Sequence, residues 1–391
     1  MSLLEQKGYE VYIVGGAVRD ILRGVTPHDY DAATSAKPDQ ILSIMQEAGI
    51  ECINGNGLKH GTVTSLYGGR PFEMTTFRRD GDYSDSRHPD SVEFTSSIEE
   101  DVRRRDFTVN AMYLDKDGNV RDLVGGREDL AARIIRAVGD PDRRFSEDAL
   151  RILRGIRFAA KLDMSIDPDT GRAMRDKAPL LKNISAERIF SELSATMTAP
   201  AAGKVLAAFA EVTEQMIPGL SGTANRFDLF DRIPQRDETT GFAILFYGLA
   251  PEAIEAAADR LKFPSGRKKN VLPLLSFREM ELPTDGYGVK YLRASCGRDT
   301  LSRLLDIRDA LGEDTEDIRQ MLSRFDEEGV PSSLKDLTVN GDDITAAGIP
   351  AGKEVGQMLN NLLTLVLKES VENDREALIK KINELKDKKE Y

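Results

Sequence analysis

The sequence predicts an α+β fold: a small N-terminal α/β domain followed by an all-helical remainder. Three observations carry that prediction. Strand-like runs, turns and short helical stretches alternate up to residue 137. Strand signals nearly vanish from Asp140 onward. Beyond it, helical spacing is broken only near Pro218-Gly219, 264–266 and Pro331.

Taken in order, residues 10–14 form a β-prone run ending at Gly15-Gly16, after which a helix is expected. Residues 38–48 carry Ile41, Leu42, Ile44 and Met45 at helical spacing. Residues 61–67 and 70–78 read as two strands around the turn Gly68-Gly69. A helix is predicted over 146–160 with Ser146 as its N-cap and acids in its first turn. Further helices are predicted over 185–197, 201–210, 251–261, 300–311 and 315–324, and a charged one over 369–391. No repeat of fixed period and no low-complexity tract occurs.

A charged content of 31% and a hydrophobic content of 40% describe a globular chain. Cys52 and Cys296 cannot build a disulfide framework and form no C-x-x-C pair, so a reducing compartment is expected. No apolar run reaches the ~20 residues of a membrane span. The start lacks a basic stretch followed by an apolar core, so the expected location is the cytoplasm. The net charge of −12 does not exclude nucleic acid, because phosphates are met by local Lys/Arg patches. His28, His60 and His88 all fall before residue 100, leaving no material for a His-Asp phosphohydrolase site later on.

The densest chemical signal is V-G-G-A-V-R-D-I-L-R-G-V-T-P-H-D-Y-D-A-A-T at 14–34. Paired glycines between a strand and a helix let backbone approach a phosphate. The spacing is neither the dinucleotide fingerprint nor a P-loop, and alone the pair would be a tight turn. Asp29-Tyr30-Asp31 adds two carboxylates that share one face if they lie on a strand. Such neighbours repel unless a cation lies between them, and magnesium prefers carboxylate and phosphate oxygens. In-line displacement at phosphorus is well served by two such ions. A polar turn after Pro27 is the plain alternative for a lone D-x-D.

Asp148, Arg151, Arg154 and Arg157 recur every third residue on the helix predicted over 146–160. Each step advances about 300°, which aligns them as one drifting ridge. Asp148–Arg151 is expected as an i,i+3 ion pair. Three arginines in a row repel unless an anion or a base lies over them. A charged, solvated helix face is the plain alternative.

G-G-A-V-R-D followed by D-Y-D-A-A-T resembles the class II tRNA nucleotidyltransferases, a family of CCA-adding enzymes and bacterial poly(A) polymerases. The resemblance continues through K-H-G-T-V at 59–63, F-E-M-T-T-F-R at 72–78, D-G-D-Y-S-D-S-R-H-P at 80–89 and R-R-D-F-T-V-N-A at 104–111. It then covers E-D-A-L-R-I-L-R-G-I-R-F at 147–158 and S-A-E-R-I at 185–189, and is looser beyond residue 200, where I-P-A-G-K-E-V-G-Q-M-L-N at 349–360 carries it.

The resemblance implies a nucleotidyltransferase head over 1–138, a neck over 139–198, a body over 199–275 and a tail over 276–391. It implies Asp29 and Asp31 as ligands of two magnesium ions, and Glu73 as a third catalytic acid, against the alternative of a surface acid in a hairpin. Gly16, Arg19 and Arg105 would face the triphosphate of CTP or ATP. Asp148 and Arg151 would read the base as a protein template, with Arg154 and Arg157 serving the phosphates or the template arginine. Glu187 and Arg188 match a supporting element, for which a structural salt bridge is expected. Asp82, Asp85 and Arg87 would belong to a mobile loop that re-sets the template between C and A addition. Lys380, Lys381 and Lys386 are candidates for tRNA contact, with a solvated helix face as the alternative. The implied reaction adds CMP, CMP and AMP to a tRNA 3′ end, and the implied protein is a monomer. An A-adding or poly(A)-adding relative, an inactive RNA-binding protein and a nucleotide-sensing module are the competing readings. His28 and His60 receive no role.

Overall fold

A computed structural model describes residues 1–53, 56–81, 91–220 and 226–388 of the chain. It resolves into two compact units. The first comprises Met1–Pro234 with Gly248–Phe263, and the second Gln235–Tyr247 with Pro264–Tyr391.

The first unit opens with the predicted α/β domain. Its strands are β1 (Val11–Val14), β2 (Asp31–Thr34), β3 (Cys52–Ile53), β4 (Thr62–Tyr67), β5 (Arg70–Thr76), β6 (Arg78–Asp80), β7 (Val92–Phe94), β8 (Met112–Leu114) and β9 (Val120–Asp122). Seven of them form one sheet in the order β3-β4-β5-β2-β1-β8-β9, while β6 and β7 pair separately. The β2–β5 pair is parallel and the other pairs of the sheet are antiparallel. Side chains alternate between faces with period two. Val11, Ala32, Val63 and Met74 pack with Ile41, Ile44 and Met45 of the helix Pro38–Glu47 on one face. Val14 and Ala33 pack with Phe77, Ile98, Val102 and Tyr113 on the other. Ile41 is fully buried, which contributes on the order of 2 kcal/mol. The register sets Val14 against Asp31 and Asp31 against Glu73, so one row crosses three strands at the end where β1 meets Gly15.

Among the described residues, the all-helical expectation holds for the rest of this unit apart from one short strand, Ser165–Ile166, which pairs in parallel with Ile134–Ile135. The helix predicted over 146–160 is a correction. It is two helices, Pro141–Glu147 and Leu150–Leu162. Asp140 caps the first by accepting from the Asp142 N–H, and Pro141 is preset for a first turn, so the helix starts before Ser146. Asp148 breaks the run, with extended torsions of φ −140° and ψ 103°, and its carboxylate accepts the Leu150 N–H at 3.0 Å. The helix Leu150–Leu162 buries Ile152, Leu153, Ile156 and Ala159 and packs against Ala186–Met197.

The second unit is helical throughout its described residues, including Glu238–Phe246, Ser265–Ser276, Gly286–Cys296, Arg298–Ala310, Glu316–Glu327 and Lys353–Leu367. The charged terminal helix is Arg375–Lys388, later than predicted, because Asp374 accepts the N–H groups of Glu376 and Ala377 and sets the start there. Leu378 and Ile382 of that helix are fully buried in a cluster with Met358 and Leu362. Among the described residues no helix is long and apolar enough to cross a membrane.

Candidate active site

A cavity of about 680 Å³ in the first unit is lined by Gly15, Gly16, Arg19, His28, Asp29, Asp31, Arg105, Asp148, Arg151, Arg154 and Arg157, together with Asp20, Arg104, Asp106, Asn110, Phe158, Lys161 and Arg188. Nearly all the head and neck residues singled out in the sequence therefore meet in one place. Among the described residues, Glu73 and Glu187 do not line it.

The floor is the turn after β1. Gly15 has φ 71°, a left-handed conformation that glycine adopts without strain, and the helix Gly16–Leu22 follows at once. A Cβ on Gly16 would lie 3.2 Å from Arg19 Nη2, so a bare residue there leaves room for the guanidinium to fold back. Arg19 is buried. Its Nε and Nη2 donate to Asp20 and its Nη1 donates to Asn110 Oδ1 at 2.6 Å.

Asp31 opens β2, while Asp29 lies in irregular chain two residues before it, short of the strand the sequence suggested for both. Both are exposed to the cavity. The surrounding wall pushes the Asp31 carboxyl up, and the neighbouring carboxylates of Glu73 and then Asp29 add to this, with Arg105 opposing. Glu73 thus acts on Asp31 from the adjacent strand. His28 Nδ1 lies 3.0 Å from Asp29 Oδ2 at the exposed rim. Among the described residues, no group of three His, Cys, Asp or Glu is close enough to hold a metal ion by protein ligands alone.

Arg105 forms a second wall and is fixed from behind. Asp101, fully buried on the helix Ile98–Arg103, accepts from Arg105 Nη2 at 3.0 Å, from Arg104 Nε at 2.9 Å and from the Tyr113 hydroxyl at 2.7 Å. Burial works against its charge, yet Arg105 and Arg104 win and hold the carboxyl down at about 2.

The ridge helix forms the third wall, and here two expectations are corrected. The side chains of Asp148 and Arg151 do not pair: the Arg151 N–H donates to the Asp148 carbonyl at 3.0 Å, but the Asp148 carboxylate turns to the Leu150 N–H and to Arg188. Arg151 instead donates to Glu147 at 2.9 Å, to the Arg144 carbonyl at 3.1 Å and to the Arg104 carbonyl at 2.9 Å. The arginine row also needs no external anion to be tolerated. Arg154 pairs with Asp106 at 2.6 Å and Arg157 with Glu192 at 2.5 Å, so each arginine meets its own carboxylate. Asp148 Oδ2 accepts from Arg188 at 3.1 Å.

Arg188 therefore lines the cavity, whereas Glu187 is paired with Lys262 on the surface. Sequence reasoning treated the two as one structural bridge. It also passed over Asp101, Asp106 and Asn110. The signals existed: Asp101 precedes Arg104 and Arg105 by three and four residues on a helix, which is ion-pair spacing. Asp82, Asp85 and Arg87 lie outside the described residues. The lysines of the second unit differ from one another. Lys380 is exposed, Lys381 pairs with Glu384 at 3.2 Å, and Lys386 donates to the Ala347 carbonyl at 2.7 Å, a contact within the fold.

Comparison with known proteins agrees with this geometry. The poly A polymerase head domain family matches residues 11–136, the probable RNA and SrmB-binding site of polymerase A matches 163–221, and tRNA nucleotidyltransferase domain 2 matches 234–382. The CCA-adding enzyme of Lactobacillus gasseri is 34% identical over 384 residues, covering 97% of this chain and 94% of the relative. That of Geobacillus stearothermophilus is 35% identical, covering 96% and 93%. The crystal structure of the Bacillus stearothermophilus CCA-adding enzyme in complex with CTP superposes with a TM-score of 0.81 at 32% identity, covering 100% of this chain and 96% of that one.

Proposed function

The chain belongs to the CCA-adding enzymes, a family of tRNA nucleotidyltransferases, and from that premise we propose that it adds CMP, CMP and AMP in turn to a tRNA 3′ end, with side chains in place of a nucleic-acid template. The observation that carries this reading is the single cavity that gathers two acids, the glycine turn, five arginines of the predicted set and Asp148.

The donor set suits magnesium. Asp29 and Asp31 offer hard carboxylate oxygens open to the cavity, and Asp31 is destabilised as an anion first by partial burial and then by Glu73 and Asp29, which a cation would relieve. Two carboxylates with substrate phosphates and water is the ordinary magnesium arrangement. When bound, two such ions would activate the attacking hydroxyl and stabilise the departing oxygen.

The chain's own residues do the positioning. The RNA 3′ oxygen attacks the α-phosphorus of CTP or ATP, the bond to the bridging oxygen breaks, and pyrophosphate leaves. Arg19 and Arg105 face the growing negative charge, each held by a carboxylate behind it. Arg151 spends three donors inside the protein, which leaves its Nε–H and one Nη2 hydrogen for the ring nitrogen and carbonyl edge of a base. Asp148 accepts from the exocyclic amine of cytosine or adenine. Uracil and guanine set a carbonyl oxygen against that carboxylate, an opposition of lone pairs that a polar site rejects strongly. We assign the chemistry to residues 1–138, base reading to 139–198, and tRNA holding to 199–275 and 276–391.

The test is to incubate the protein with tRNA lacking its 3′ end plus ATP and CTP, and to sequence the products. Addition of CCA is expected. A single A on tRNA ending in CC, or a poly(A) tail, would replace this reading by an A-adding or polymerase activity.

A further inference from the structure

Phe158 lies on the helix Leu150–Leu162, is 8% exposed and lines the cavity. One edge packs on Phe107, with ring centroids 6.0 Å apart and planes at 79°. Around the same ring stand three guanidinium groups. Arg157 is 4.2 Å from the centroid, Arg154 is 5.3 Å and Arg19 is 5.7 Å. All three fall within the range at which a ring face attracts a cation. Arg154 and Arg157 share the ring's own helix, whereas Arg19 comes from the helix that follows the glycine turn.

Each guanidinium is tied at its other side by a different carboxylate: Asp20 for Arg19, Asp106 for Arg154 and Glu192 for Arg157. The carboxylates fix three separate points and do not bring the cations together. What the three share is the ring. Like charges collected at that radius repel one another, and a negative ring face is a centre that lowers the cost without neutralising them. Each carboxylate takes only part of its guanidinium's donors, so N–H groups remain to meet a polyanion.

We propose that Phe158 is a positioning residue that holds Arg19, Arg154 and Arg157 together as one preorganised receptor for the triphosphate of the incoming nucleotide. The proposal rests on the reading of the cavity as a nucleotide site. A ring contact of this kind changes an equilibrium by about twofold to about thirtyfold. Loss of the shared ring is therefore expected to raise the KM for CTP and for ATP by a common factor of about ten, with kcat changed less than about twofold. Base choice stays as it was, because the guanidinium groups over the ring are those of Arg19, Arg154 and Arg157 and not that of the base-reading Arg151.

The experiment measures equilibrium binding of CTP, ATP and inorganic tripolyphosphate, together with kcat and KM, for the full chain and two kinds of variant. Phe158→Leu keeps apolar bulk and removes the ring. Replacement of the ring by mono-, di- and trifluorophenylalanine keeps the shape and progressively withdraws its negative face. A graded loss of tripolyphosphate and nucleotide affinity along the fluorinated series, with unchanged base choice, supports the proposal. Parental affinity across that series, in a chain that itself binds CTP, overturns the proposal and leaves the nucleotide-site reading intact. A parental chain that binds neither nucleotide overturns both.

Discussion

Asp101 offers a quantitative test of how the cavity is held. It has no exposed surface, and it anchors Arg105 and Arg104 by charge and Tyr113 by its hydroxyl, with the Arg78 N–H as a further donor at 3.3 Å. The perturbation is Asp101→Asn, which keeps the shape and removes the charge. The carboxyl is held at about 2 against an ordinary value of 3.8. That difference corresponds to about 2 kcal/mol of folding stability. Leaving the Arg105 guanidinium buried without a counter-charge raises the expected loss to about 3–5 kcal/mol at pH 7. Because the folded-state value lies below the unfolded one, the parental contribution is complete above about pH 4 and disappears as pH falls through about 2. Equilibrium urea unfolding followed by far-UV circular dichroism, run for both proteins from pH 7 to pH 2.5, reads it directly. The gap between them should narrow toward the acid end. A gap under ~1 kcal/mol at pH 7, or one that stays constant with pH, would refute the assignment.

Three further outcomes follow from the site. Asp29→Ala and Asp31→Ala should each lower nucleotide incorporation by about a thousandfold or more with an unchanged circular dichroism spectrum; magnesium-dependent incorporation at the parental rate would remove both from the chemistry. Asp148→Ala, Arg151→Ala and Arg188→Ala should admit UTP and GTP, with discrimination falling by about a hundredfold in competition assays, more than triphosphate affinity falls; unchanged exclusion would end the template role and the supporting role of Arg188. Lys380→Glu with Lys381→Glu should weaken tRNA binding and flatten its dependence on salt, and an unchanged slope would make that face merely solvated. Charge reversal is the suitable test there because removing the whole helix Arg375–Lys388 would also strip Leu378 and Ile382 from a core.

Much of this site could be read in the sequence because the chemistry is local. G-G-A-V-R-D and D-Y-D carry their meaning within 14–34, and the arginines of the ridge keep their spacing on any helix. What could not be read was each side chain's partner. In the sequence Asp148 reads as a ridge residue because its neighbours are good helix formers; a side-chain bond from the Leu150 N–H and extended torsions outweigh propensity. The partners of Arg154 and Arg157, Asp106 and Glu192, stand 48 and 35 residues away, and no spacing rule reaches that far. Glu73 was placed beside the acids by resemblance, and only the β2–β5 register gives it a physical neighbour.

That register has a consequence for how the protein acquires its activity. β4 and β5 form a hairpin closed by a two-residue turn, whereas Asp31 meets Glu73 only after a parallel pairing across the intervening chain. Closing so long a loop is entropically slow compared with zipping a hairpin. The helix Pro38–Glu47 must already cover one face before the pairing is rewarded by buried Ile41 and Met74. The acidic row of Asp31 and Glu73 therefore waits on a non-local pairing, whereas the β4–β5 hairpin closes locally on its own turn.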